Sequence, residues 1–212
     1  PDPYQTSGLN TGPALAEKMS VLTMAETIRA FIAIELSDQV KETIRNFQEQ
    51  LKPLGCDVSW VKPENAHLTL KFLGDVKIKM IPSVTETLAN SCRDLRFFDT
   101  TLTQPGVFPD LRHPRVVWIG LDDTEGKLGQ LAGSLETALG NIGFKKERRD
   151  FQAHITVGRV RTPKNIVRFC EAIKSFAVPA GIKQSVGEIT FFKSTLTPQG
   201  SVYEHLSRSK FG

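Results

Sequence analysis

Apolar residues change their period repeatedly along the chain, from runs and alternations of two to spacings of three and four. IRAFIAIEL (28–36) predicts a buried strand. Ser37 and Asp38 then offer N-cap chemistry, and Val40, Ile44, Phe47 and Leu51 recur at helical spacing up to Lys52. Pro53 and Gly55 end that helix. CDVSWV predicts a short strand, KPEN a turn, and HLTLKFLG (67–74) another strand. Residues 78–95 read as a helix with Pro82 near its start, and FFDTTLTQ as a strand. GVFPDLRHP is punctuated as a loop. RVVWIGL (115–121) predicts a strand, after which Asp122, Asp123 or Thr124 caps a helix running to about Leu139. FQAHITVGRV (151–160) is a further strand. A helix follows Thr162–Pro163, with the proline in its first turn, and SVGEITFFKSTL and SVYEHL are strands joined by TPQG. The order β-α-β-β-α-β, then another round, predicts an α+β fold with mixed or antiparallel sheets rather than a doubly wound parallel one. No GxGxxG or GxxxxGK[ST] phosphate loop is present.

Residues 1–27 lack such a period and read as a leader or extension, leaving 28–212 as the folded unit. They have neither the positive start nor the apolar core of a secretory signal. The whole chain carries a net charge of +4, and residues 28–212 carry +6, which suits a phosphate-bearing partner without demanding one. No run approaches the roughly 18 apolar residues of a membrane helix, so no membrane partner is expected. Cys56, Cys92 and Cys170 are widely spaced, with no CxxC pair and no neighbouring histidine. That pattern predicts buried, reduced thiols in a cytoplasmic protein and disfavours metal or thiol chemistry.

Two of the four histidines are followed two residues later by threonine, in HLTL and HITV. Both copies fall on predicted strands, where alternate residues share a face. His67 and Thr69 then point one way, and His154 and Thr156 likewise. Simple alternation sends Leu68, Leu70 and Phe72 to the opposite, core side. One copy lies in each half of the chain, so two similar lobes related by an approximate twofold would bring both pairs onto one cleft. Phosphodiester hydrolysis needs a base for water and an acid for the leaving oxygen, and two imidazoles supply both near neutral pH. The threonine hydroxyls would hold the phosphate oxygens.

With these motifs in view, the sequence resembles the two-histidine phosphoesterase superfamily, in particular the LigT-like (ThpR) RNA 2′,3′-cyclic phosphodiesterases. The resemblance runs from Ile28 to Leu206 through RAFIAIEL, W-VKPEN-HLTLKFLGDV, PGVFPDLRHPRVVWIGL, FQAHITVGRV and GEITFFKSTLTPQGSVYEHL. It implies two pseudosymmetric lobes, roughly 28–105 and 106–212 with strands able to exchange, flanking a central cleft. It also implies metal- and cofactor-free hydrolysis of a terminal 2′,3′-cyclic phosphate to a 2′-phosphate. His67 would be the proton donor, His154 the proton acceptor, and Thr69 and Thr156 the phosphate-binding residues. Reverse 2′–5′ joining of RNA is a further implication.

Arg159 matches a basic position near the family's substrate site. Phe72 offers a face for base stacking, although core packing is the competing reading. Both stand five residues after their histidine, and each needs a strand end or bulge to reach the cleft. Tyr203 is a third substrate-side candidate. Ala66 and Ala153 replace residues more usual in the family. His113 and His205 lack a threonine partner and read as non-catalytic. The basic residues Lys62, Lys71, Arg112, Arg115, Arg148 and Arg149 are scattered candidates for RNA contact. The expected partner is RNA with a cyclic phosphate end or a small nucleotide, bound by a monomer. Small cyclic nucleotides, 2′–5′ oligonucleotides and non-catalytic nucleotide or RNA binding are the competing functions.

Overall fold

The computed structural model describes residues 27–198 and 200–212. The reading of residues 1–27 therefore lies, except for Thr27, outside the described residues. Among the described residues, nine strands and four α-helices follow in the order β1 (Thr27–Glu35), α1 (Asp38–Leu51), β2 (Val58–Trp60), β3 (His67–Lys77), α2 (Ile81–Cys92), β4 (Phe98–Phe108) and β5 (Val116–Leu121). Then come α3 (Lys127–Asn141), β6 (His154–Val160), α4 (Ile166–Ser175), β7 (Lys183–Val186), β8 (Glu188–Thr197) and β9 (Gly200–Lys210).

The strands pair antiparallel in the order β7-β4-β5-β6-β3-β1-β8-β9, with β2 also on β6. The order is symmetric about the β6/β3 seam, where Leu68 pairs with Ile155. On the side away from the seam, each histidine strand has one mate, β1 for β3 and β5 for β6. Strand exchange completes the lobes, because β4 lies against β5 and β8 against β1. The helices exchange as well. The first helix, α1, packs with α4 and β7, while α3 packs with α2 and β3.

Local chemistry accounts for most boundaries. The Ser37 hydroxyl accepts from the Val40 amide, as its N-cap position predicts. Asp123 receives the Leu128 and Gly129 amides, both at 2.8 Å, and so caps α3 from just outside its first turn. Three differences from the sequence reading stand out. Gly106, Val107 and Phe108 extend β4 into the segment read as loop, because they find ladder partners in Trp118, Val117 and Val116. SVGEITFFKSTL is two strands, since the chain crosses at Gly187 from pairing with β4 to pairing with β1. Pro163 precedes α4, which starts only after Asn165 in a left-handed conformation.

Leu68, Ile119, Ile155 and Val157 from the central strands are fully buried with helical Phe47, Leu128, Leu135 and Phe169 in the main core. The opposite, concave face carries a smaller cluster of Phe31, Ala33 and Phe192 with Tyr203 packed on it. That face bears the chemistry.

Candidate active site

Antiparallel pairing at Leu68 and Ile155 sets the site. Extending that register one residue each way places His67 across from Thr156 and Thr69 across from His154. The four side chains form a two-by-two array about a local twofold, with Leu68 and Ile155 turned into the core beneath it.

Each imidazole is oriented by its own backbone. His67 Nδ1 donates to the Asn65 carbonyl at 2.9 Å, and His154 Nδ1 to the Gln152 carbonyl at 2.7 Å. A carbonyl only accepts, so the Nδ1 hydrogen is required and Nε2 is left for proton transfer. Burial holds both rings below the ordinary histidine value, while the carbonyl bonds pull in the opposite direction. The nearby Arg159 cation lowers His154 further.

The rings have different company. His67 stacks on Phe31 with centroids 4.6 Å apart and meets the edge of Tyr203 at 5.3 Å. His154 instead stands edge-on to Phe108 at 5.0 Å and to Trp118 at 6.4 Å.

Both histidine strands bulge three residues after the histidine. On β3, Ala33 pairs with Thr69 and Ile32 with Lys71, leaving Leu70 as the extra residue. On β6, Trp118 pairs with Thr156 and Val117 with Gly158, leaving Val157 extra. Each bulge resets the alternation, so Phe72 and Arg159 rejoin the face of the preceding threonine. Phe72 is 59% exposed, against its core-side placement by simple alternation. The same shift turns Lys71 inward, where it is 2% exposed and its ammonium meets Glu136 at 2.7 Å and the Lys145 carbonyl at 2.9 Å. Lys71 is thus removed from the basic residues available to RNA. The β6 bulge is held by Gln48, whose buried amide donates to the carbonyls of Val61 and Val157. Gln48 and Glu136 are invisible as site supports in the sequence, because each sits on a helix that packs across the lobes.

A cleft of about 590 Å³ opens beside this array. His67, Thr69, Phe72, Thr156, Arg159 and Tyr203 line it; His154 is not among the lining residues and stands two residues from Thr156 on the same strand face. Arg29, Lys62 and Asn65 line it as well, and of these the sequence singles out only Lys62. Among the described residues that line it, none is a carboxylate. Of the other basic candidates, Arg112, Arg115, Arg148 and Arg149 are exposed outside the cleft lining.

The remaining titratable candidates lie elsewhere. His113 is on the exposed loop, its amide bound to Asp110. His205 pairs with Glu35 at 3.1 Å and lies against Phe192. All three cysteines are free thiols; Cys92 and Cys170 are buried and Cys56 is half-buried. Burial raises each of them, Cys92 to about 11, which disfavours the nucleophilic thiolate.

A family model described as LigT like Phosphoesterase matches the chain twice, over residues 34–118 and 119–203, one histidine motif in each match. The chain belongs to this family. A Methanothermobacter thermautotrophicus protein named RNA 2′,3′-cyclic phosphodiesterase is 34% identical over 176 residues, covering 83% of this chain and 95% of that protein. A Thermotoga maritima protein of the same name is 34% identical over 184 residues, covering 87% and 96%. Among solved structures, a Thermus thermophilus protein superposes with a TM-score of 0.73 at 25% identity, covering 87% of this chain and 98% of that one. Escherichia coli LigT complexed with 3′-AMP gives 0.68 at 26% identity, covering 88% and 99%. LigT-like phosphoesterases thus share this α+β architecture of two pseudosymmetric sheet lobes about a cleft. Among the described residues, no helix is long and apolar enough to cross a membrane.

Proposed function

We propose that this LigT-like phosphoesterase hydrolyses RNA 2′,3′-cyclic phosphate ends to 2′-phosphates by proton transfer between two histidines. The two-by-two array of His67, Thr69, His154 and Thr156 carries the reading. A cyclic phosphate seated over it lies between two Nε2 atoms on opposite sides, with a threonine hydroxyl beside each. His154 Nε2 takes a proton from water as the water oxygen bonds to phosphorus. The P–O3′ bond breaks, and protonated His67 gives its proton to O3′. The products are a 2′-phosphate and a free 3′-hydroxyl, and proton exchange with solvent restores the starting pair. Thr69 and Thr156 donate to the phosphate oxygens, with Arg159 supplying positive charge. Phe72 and Tyr203 flank the base.

The role assignment has an electrostatic basis. Arg159 favours the neutral, accepting form of His154. His67 feels no such cation; burial lowers it, and against that the Asn65 carbonyl bond and the π face of Phe31 favour a protonated ring. A bound phosphate anion would raise His67, offsetting the effect of burial. Both proton transfers are thereby supplied without a metal. Both motifs come from one chain, which supports action as a monomer, and free thiols fit a cytoplasmic setting.

Product analysis on a short RNA ending in a 2′,3′-cyclic phosphate tests the reading. The expected product is the 2′-phosphate, formed in the presence of chelator. A 3′-phosphate product would reverse the leaving group, and loss of activity to chelator with recovery on adding a divalent ion would overturn the histidine-pair mechanism. Incubating the 2′-phosphate product with a 5′-hydroxyl RNA tests 2′–5′ joining.

A further inference from the structure

His67 and His154 are oriented by equivalent carbonyls, but the residues that supply those carbonyls are held differently. Gln152 is exposed. Asn65 is half-buried and lines the cleft, and its side-chain amide donates to the Ser201 carbonyl at 3.0 Å. Ser201 lies on β9, 136 residues further along the chain.

That bond crosses the sheet. In strand order, β9 is reached from β3 only through β1 and β8. At about 4.8 Å between neighbouring strands, a flat sheet would hold β9 about 14 Å from β3. Curling brings the β8–β9 hairpin over the concave face, where Leu196, Ser201 and Tyr203 line the cleft. Tyr203 stands two residues after Ser201 on the same strand face and meets the His67 ring at 5.3 Å. The hairpin therefore reaches His67 twice, through an aromatic edge and through Asn65.

Asn65 joins both ends of that second route. Its carbonyl accepts from His67 Nδ1 at 2.9 Å, and its side chain holds β9. The short turn Pro63–Asn65 is closed by the Asn65 amide on the Lys62 carbonyl at 2.8 Å and the Ala66 amide on the Pro63 carbonyl at 3.2 Å. Those local bonds shape the turn, whereas the Ser201 bond fixes where the turn sits against the opposite wall of the cleft. Placement matters because a misplacement of about 1 Å at a reacting group can cost about 10²-fold in rate.

We propose that Asn65 is a positioning residue for His67, its side-chain bond to Ser201 latching the β8–β9 hairpin to the carbonyl that orients the imidazole. Its effect on turnover rests on the phosphodiesterase reading above; its effect on the His67 ring does not.

Nitrogen NMR spectra of the full chain with isotope-labelled histidine test the latch, the His67 signals being those missing from His67→Ala. In wild type, the neutral His67 ring should carry its proton on Nδ1. Asn65→Ala should give a mixture of the two tautomers and speed amide exchange at residues 200–203. It should also lower the pH at which His67 protonates, because the carbonyl bond that raises the ring is loosened. For adenosine 2′,3′-cyclic phosphate, kcat and kcat/KM should fall together by about tenfold, the scale of one lost hydrogen bond. Asn65→Asp keeps the size but has no donor, so it should show the same tautomer mixture and faster exchange. Asn65→Gln keeps the donor and should recover part of both. An unchanged His67 spectrum in Asn65→Ala and Asn65→Asp overturns the latch, whatever happens to kcat or to hairpin exchange. A changed His67 spectrum in a protein whose wild type hydrolyses no cyclic phosphate leaves the latch standing and overturns the phosphodiesterase reading.

Discussion

The His67 and His154 halves use the same backbone device in different surroundings. In each, a carbonyl two residues before the histidine fixes Nδ1, a threonine follows two residues later, and a bulge at the third residue redirects the fifth. The redirected residue is Phe72 in one half and Arg159 in the other. His67 rests in an aromatic box of Phe31, Phe192 and Tyr203, whereas His154 has Phe108, Trp118 and the Arg159 charge. On the proposed mechanism, backbone symmetry builds the phosphate cradle and side-chain asymmetry separates acid from base, while the cleft has one aromatic side. Two equivalent histidines would compete for one role.

The strongest way to break this comparison is to remove each ring. His67→Ala and His154→Ala should each lower kcat by at least about 10²-fold, the scale of general acid–base catalysis. Near-normal turnover by either variant would show that its half is only structural. Next, Thr69→Val and Thr156→Val should each lose about 10- to 100-fold in kcat/KM, because each removes a hydroxyl donor at the developing phosphate charge. Losses of similar size support a symmetric cradle, while a loss in only one variant would place the phosphate against a single lobe.

The residues at the two bulges should differ in kind. Phe72→Ala should raise KM by about 5- to 100-fold through lost stacking, with little change in the pH profile. Arg159→Gln should weaken binding and also move the base-controlled acidic limb upward, because the cation no longer lowers His154. Identical pH profiles for Arg159→Gln and wild type would separate Arg159 from the tuning of His154. The smallest effect is in the wild-type profile. Burial lowers both rings, so the kcat/KM optimum should lie below the ordinary histidine value of about 6.5. The kcat optimum should lie higher, since bound phosphate favours protonated His67. The limbs belong to the coupled pair rather than to either ring.

Most of the elements and the four-residue array were legible in the sequence, because strand periodicity is local and both motifs announce their own face. Phe72 and Arg159 were legible as candidates, and so was their need for a bulge. The bulge itself depends on partners far along the chain. Gln48 satisfies the extra carbonyl of Val157 from a helix 109 residues away in sequence, and Lys71 fills its buried position only because Glu136 and the Lys145 carbonyl meet it there. No local pattern encodes such a meeting. The break at Gly187 is similar, since an apparently continuous strand divides where its neighbours change from β4 to β1.

By itself the sequence determined the strands and helices, the face carried by each His-x-Thr pair and the types of group available for proton transfer. These follow from side-chain period and from what each functional group can donate or accept. Only the tertiary structure decided that Thr69 stands across from His154, that Lys71 is buried while Phe72 is open, and that Arg29 shares a cleft with Arg159. Those outcomes depend on register and on contacts between distant segments, where a shift of one residue exchanges core for cleft.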